Sequence, residues 1–321
     1  MDITTRYSRA ARLPRRRRSA ILVGTVAAAA LAAAGCGSSG ASTGSSSGVI
    51  NAIGAENEYA NVLSQIGGKY VHVSSILNNP NTDPHTFESS PKVAQEVTAA
   101  QLIVQNGVGY DTFMNKIESA TSSHNRTVID VQTLRHLPAT TANPHLWYSP
   151  KTMPAVATAL VKALSKMDPA HASYFAANAA RFKASLKPWL TAIAQFKASY
   201  PGTPVATTEP VGDYMLQAAG TKNMTPWNLQ ADIMNGVDPA AQDISLQDSL
   251  FSGHRVKVFL YNQQVTDSLT EQFLADAKRH GVPVVGVYET MPTGYSYQNW
   301  MLAEVRALRA AVAHGTSTER L

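Results

Sequence analysis

Two short turns in the first half of the chain share one pattern, Asp83-Pro84-His85 and Asn143-Pro144-His145. Two acids in the second half have similar neighbours: Glu209 in Thr207-Thr208-Glu209-Pro210 and Glu289 in Tyr288-Glu289-Thr290-Met291-Pro292. The nearby prolines stiffen each backbone and hold the residue before them extended. Imidazole and carboxylate are the side chains that together hold divalent ions such as Zn2+ and Mn2+. Two of each around a dication give a neutral assembly, which lowers the penalty for burying it. Four protein ligands also leave no obvious position for a reactive water, so the set suits holding a metal rather than using one. Separations of 60, 64 and 80 residues do not by themselves require a shared site. Loop histidines are commonly solvated, Glu209 could be an acid at the N-terminus of a helix that Pro210 begins, and Glu289 could be another surface acid.

A shared site needs a scaffold that brings distant loops together. Open α/β sheets do this, because their ligands lie just beyond the carboxyl ends of the strands. The first half alternates strand and helix. Strands are expected at Val49–Gly54, Tyr70–Leu77, Leu102–Gln105 and Thr127–Val131, with helices at 56–67, from Ser90 or Pro91, at 110–120 and at 151–167. From Asp168-Pro169 to about Tyr200 runs a long helical pattern, with Asp168 as N-cap and Pro188 expected to kink or end it. The second half repeats the alternation, with strands at 203–208, 256–261 and 283–288. Its helices are expected at 211–219, from Asp238, at 268–280 and at 297–313. The expected architecture is α/β: two lobes, each a mostly parallel sheet flanked by helices, joined by one long backbone helix, with the metal site in the cleft between them. The boundaries are 49–167 for the first lobe, 168–200 for the linking helix, 201–314 for the second lobe and 315–321 for a tail.

The N-terminus has a different composition. Residues 1–35 hold seven arginines against one acid, so the overall +5 at pH 7 becomes −1 for the remainder, and a near-neutral body gives no case for nucleic acid. Arg15–Arg18 precede a fifteen-residue uncharged stretch, Ala20–Ala34. That is short of the roughly 20 apolar residues a spanning helix needs. A basic start, an apolar middle and small residues before a cut define a signal peptide over 1–35. Ala33-Ala34-Gly35-Cys36 resembles a bacterial lipobox, which implies that the Cys36 thiol carries diacylglycerol. Residues 36–48, all Gly, Ser, Ala and Thr after the cysteine, form a flexible tether that holds the body on the outer face of a cell membrane. The single cysteine excludes a disulfide scaffold and any cysteine-rich metal site.

Taken in order over residues 49–314, the chain resembles the zinc- and manganese-binding lipoproteins that serve metal ABC importers, in the helical-backbone metal receptor superfamily. The motifs that carry the likeness are Asn81-Thr-Asp-Pro-His-Thr-Phe-Glu88, Ala99-Ala-Gln-Leu-Ile-Val-Gln-Asn-Gly107, Asn143-Pro-His-Leu-Trp-Tyr-Ser-Pro150 and Ala206-Thr-Thr-Glu-Pro-Val-Gly-Asp-Tyr-Met215. The resemblance implies a ligand set of His85, His145, Glu209 and Glu289 and one bound Zn2+ or Mn2+. It also implies a membrane permease as partner, a monomeric receptor and no catalysis. Two features depart from the pattern. Glu289 stands where Asp is usual, and the segment between Phe113 and Pro144 holds only His124 and His136 rather than a histidine-rich loop.

The competing functions are a secreted metal enzyme and a surface adhesin. The enzyme would need an open coordination position and a separate general base, and neither an HExxH helix nor a nucleophile elbow is present. No long exposed aromatic or repeat segment favours adhesion. His72, His171, His254, His280 and His314 are expected to have no site role. Asn57, Glu58, Asn106 and Gln264 could support a site from loop edges but are taken as ordinary polar surface.

Overall fold

The computed structural model describes residues 48–321 apart from Thr82, Ser122 and His124. The expected signal peptide, Cys36 and the tether up to residue 47 lie outside the described residues.

The first half is built from β1 (Ile50–Glu56), α1 (Asn57–Gly67), β2 (Val71–Leu77), α2 (Pro91–Ala99), β3 (Leu102–Gln105), α3 (Thr112–Ala120), β4 (Thr127–Asp130), α4 (Val131–Leu134) and α5 (Thr152–Met167). Next come α6 (Ala172–Ser185) and α7 (Lys187–Ser199). The second half comprises β5 (Pro204–Thr207), α8 (Asp213–Ala218), β6 (Lys222–Asn223), α9 (Trp227–Met234), α10 (Ala241–Ser252), β7 (Phe259–Asn262), α11 (Ser268–Arg279), β8 (Val284–Val287) and α12 (Tyr297–His314).

Both sheets are wholly parallel and share one strand order, β2-β1-β3-β4 and β6-β5-β7-β8. In each, the order reverses between the first and third strands, which opens a crevice at their carboxyl ends. Successive strand residues face opposite sides. Leu102 and Val104 enter a central core while Ile103 enters an outer one, and Val285 and Val287 oppose Val284 in the same way. Burial on both faces explains the unbroken apolar runs in these strands. The central core runs through both halves: Tyr59, Trp147, Phe175, Trp189, Tyr297 and Trp300 all belong to it and are fully buried.

The expected long linking helix is present and bent. A turn at Pro169–His171 leads into α6, and α6 gives way to α7 at Leu186. Pro188 occupies the first turn of α7, where its missing N–H costs no hydrogen bond but ends the regular ladder of α6. The expected elements appear with ends shifted by one to three residues. β1 runs on to Glu56, and the strand expected at 256–261 becomes regular only over Phe259–Asn262, although Lys257 N already donates to Pro204 O (2.9 Å). β6 and α9 were not expected. Residues 316–321 strap the edge of β8: Thr318 N donates to Val284 O and Gly286 N to Thr318 O, both at 2.8 Å. No helix among the described residues is long and apolar enough to cross a membrane.

Candidate metal centre

The two Pro-His turns share one local hydrogen bond. Asp83 Oδ1 accepts the His85 backbone N–H (2.8 Å) and Asn143 Oδ1 accepts that of His145 (3.0 Å). Each is an Asx turn in which the proline holds the residue before it extended; His85 then lies inside a 3-10 turn over Pro84–Thr86, whereas His145 precedes one over Leu146–Tyr148. Glu209 follows β5 by two residues and Glu289 follows β8 by two, so both stand at carboxyl ends of the second sheet. Glu209 does not open a helix, since α8 begins only at Asp213.

The structure brings His85, His145 and Glu289 together, with one ligand atom from each lying within 4.8 Å of the others. Glu289 Oε2 is 3.0 Å from His85 Nε2 and 3.2 Å from His145 Nε2, and it accepts a hydrogen bond from the Tyr110 hydroxyl (3.0 Å). Glu289 Oε1 accepts from Asn262 Nδ2 at 2.7 Å. Glu209 is outside the three-residue group but adjoins it through the same amide, Asn262 Nδ2 donating to Glu209 Oε1 at 3.0 Å. Its other oxygen, Oε2, is buried and has no donor among the described residues. His145, Glu209 and Glu289 are buried, whereas the His85 side chain is 24% exposed. Tyr110 and Trp147 wall the site, each with its ring edge-on to His145.

The hydrogen bonds set the tautomer of His145. Asn143 Nδ2 donates to Pro210 O (2.7 Å), which turns Asn143 Oδ1 toward His145 Nδ1 at 2.8 Å. An amide oxygen only accepts, so Nδ1 carries a hydrogen and Nε2 is the nitrogen turned to the site, donating to Glu289 while it is protonated and offering its lone pair to an ion once that proton leaves.

Burial dominates the charge states. It pushes Glu209 well above the usual carboxylate range, and neighbouring Glu289 pushes it further. Burial also opposes ionisation of Glu289, but hydrogen bonds from His145 and His85 outweigh it and hold the carboxyl far below its ordinary value. Burial lowers His145 despite the pull of Glu289. At His85, more open, burial is overcome by the hydrogen bond and charge of Glu289, and its pKa rises. A buried pair of carboxylates beside two imidazoles is therefore short of positive charge, which a divalent ion would supply.

Of the four residues expected to be ordinary polar surface, Asn57, Asn106 and Gln264 prove to brace the site loops. Gln264 Oε1 accepts from the Glu289 and Thr290 backbone N–H groups, both at 2.7 Å. Asn57 forms a reciprocal pair with the Met291 backbone at 2.9 Å, and Asn106 Nδ2 donates to Pro144 O at 2.8 Å. Glu58 is fully buried with neither carboxylate oxygen hydrogen-bonded. Tyr110 and Asn262 were missed. Asn262 ends an apolar run at the carboxyl end of a strand, the position that faces a crevice, and that was the available signal. The remaining histidines lie elsewhere: His171 stacks on Tyr70 (3.7 Å) and contacts Asp168, while His72, His136, His254 and His314 are exposed. His124 is outside the described residues.

Two parallel four-stranded sheets, with imidazoles and carboxylates gathered beyond their strand ends, form an arrangement that known proteins share. Residues 55–311 match the family described as zinc-uptake complex component A, periplasmic (ZnuA), and the chain belongs to that family. It is 24% identical over 172 residues to the manganese-binding lipoprotein MntA of Bacillus subtilis, covering 52% of this chain and 56% of that protein. It is 25% identical over 178 residues to the iron-binding protein YfeA of Yersinia pestis, covering 53% and 57%. The chain thus spans little more than half the length of these curated relatives. Among solved structures, a ZnuA crystal structure superposes with TM-score 0.65 at 20% identity, covering 81% of this chain and 98% of that one. The periplasmic zinc-binding protein TroA of Treponema pallidum superposes at 0.68 with 17% identity, covering 84% and 100%. At these identities the structural likeness speaks for the fold.

Proposed function

We propose that this protein captures one divalent transition-metal ion, Zn2+ or Mn2+, outside the cell and delivers it to the permease of an ABC importer. His85 and His145 supply imidazole nitrogens, and Glu209 and Glu289 supply carboxylate oxygens. The observation that carries this reading is the convergence of His85 Nε2, His145 Nε2 and Glu289 Oε2 beside a buried, undonated oxygen of Glu209. Family membership and relatives named for manganese and iron binding support it. The four side chains leave no vacant ligand position for substrate, which supports carriage over catalysis. In the same reading Cys36 carries the lipid, and the receptor works as a monomer on the outer face of the membrane.

The test is a thermal scan of the mature protein with chelator and with Zn2+ or Mn2+. A ligand at 100 times its Kd adds roughly 2.7 kcal/mol to the folded state. For a body of this size that is a rise of about 5–10 °C in midpoint. Identical midpoints across both metals would overturn the proposal. For the anchor, Cys36→Ser should release the protein from membranes without altering metal affinity, and a variant still membrane-bound in high salt would exclude Cys36.

A further inference from the structure

Asn262 is the last residue of β7 and is fully buried at the point where the strand order of the second sheet reverses. Its side-chain nitrogen donates to Glu289 Oε1 (2.7 Å) and to Glu209 Oε1 (3.0 Å), one bond to each carboxylate. The orientation of the amide is fixed from the other side. Asn262 Oδ1 accepts the Gln264 backbone N–H at 3.0 Å, and a flipped amide would set that oxygen against two carboxylate oxygens. The strand end is itself pinned, the Asn262 backbone N–H donating to Thr208 Oγ1 at 3.0 Å.

The consequence concerns which oxygens remain. Each carboxylate has one oxygen occupied by the amide. The other oxygen of Glu289 faces His85, His145 and Tyr110, and the other oxygen of Glu209 has no donor. Without a bridging donor, two carboxylates this close would repel, and each could turn to offer both oxygens.

We infer that Asn262 is a positioning residue that restricts Glu209 and Glu289 to one ligating oxygen each. It thereby holds the site to two nitrogens and two oxygens in a four-coordinate arrangement. That geometry satisfies Zn2+, whereas Mn2+ prefers more, and oxygen-rich, ligands. Asn262 thus biases the choice of metal without touching it. The inference rests on the ligand set proposed above.

Co2+ is the probe, because its visible bands are intense in a tetrahedral field and weak in an octahedral one. Wild-type protein with one equivalent of Co2+ should show the intense spectrum. In Asn262→Ala the carboxylates are freed to bind through both oxygens, so the intensity should fall severalfold. The Mn2+ affinity relative to Zn2+ should rise about tenfold. Asn262→Ser, which keeps one donor, should fall between the two and serves if the alanine variant does not fold. A weak octahedral spectrum in the wild type would overturn the inference, as would unchanged spectra in a folded variant that binds Co2+. Failure of the wild type to bind Co2+, Zn2+ or Mn2+ at all would instead reject the metal-receptor reading.

Discussion

Glu304 offers a test of how burial governs charge in this fold. It lies on α12 with 1% exposure, and its Oε1 is 3.0 Å from the Trp300 Nε1 donor and 3.3 Å from the Tyr148 hydroxyl. Oε2 is buried with no partner. Burial raises the Glu304 pKa to about 8, with the two hydrogen bonds pulling the other way. The folded protein therefore keeps a proton that the unfolded chain loses near pH 4.5. Stability contributed by this residue is fully present below that pH, declines as pH rises, and levels off above about 8. Linkage sets the slope at about 1.4 kcal/mol per pH unit, so the loss between pH 5 and 8 is about 3–4 kcal/mol. Glu304→Gln matches the neutral carboxyl in shape and cannot ionise. Urea unfolding of metal-free wild type and variant, measured in chelator from pH 5 to 9, isolates the effect by difference. The variant should gain on the wild type steadily up to pH 8. Parallel profiles would show that Glu304 is already ionised at neutral pH and that the burial argument is wrong.

Metal affinity should fall from pH 8 to pH 5, because Glu289 favours the protonated form of His85 and each proton must leave before the ion binds; calorimetry giving constant affinity would argue against imidazole ligation. Glu209→His exchanges a hard, charged ligand for a softer neutral one, so preference for Zn2+ over Mn2+ should widen about tenfold, or ~1.4 kcal/mol. Equal changes for both ions would remove Glu209 from the ligand set. A Cβ at Gly286 would collide with the Glu319 backbone oxygen, so Gly286→Ala should lift the 316–321 strap. The expected loss is about 1–3 kcal/mol in urea unfolding, and an unchanged midpoint would show that the strap contributes nothing.

The parallel strands were legible because strands buried on both faces are written as short apolar runs between turn residues. What could not be read is equally physical. β6 is two residues long, too short for any period, and α9 buries Gln230, whose side-chain oxygen accepts from the Thr207 hydroxyl (3.1 Å). A polar residue on the buried face breaks the apolar stripe that marks a helix. In the site, His85 and His145 were legible from their repeated turn, since the Asx–Pro geometry is local. Asn262, Gln264 and Tyr110 act across 27, 25 and 179 residues on Glu289, and no local pattern announces a contact of that range.

The apolar core common to both sheets has a consequence for cooperativity. Trp147 from the first half and Tyr297 and Trp300 from the second lie in one continuous cluster, crossed by α6 and α7 rather than divided by a solvated linker. Neither half can lose its packing and leave the other intact, because each supplies part of its neighbour's interior. Heat or urea should therefore melt the metal-free body in one all-or-none step. A lesion such as Trp189→Ala, set in that cluster on the connecting helix, should lower the midpoint seen by probes in either sheet by the same amount.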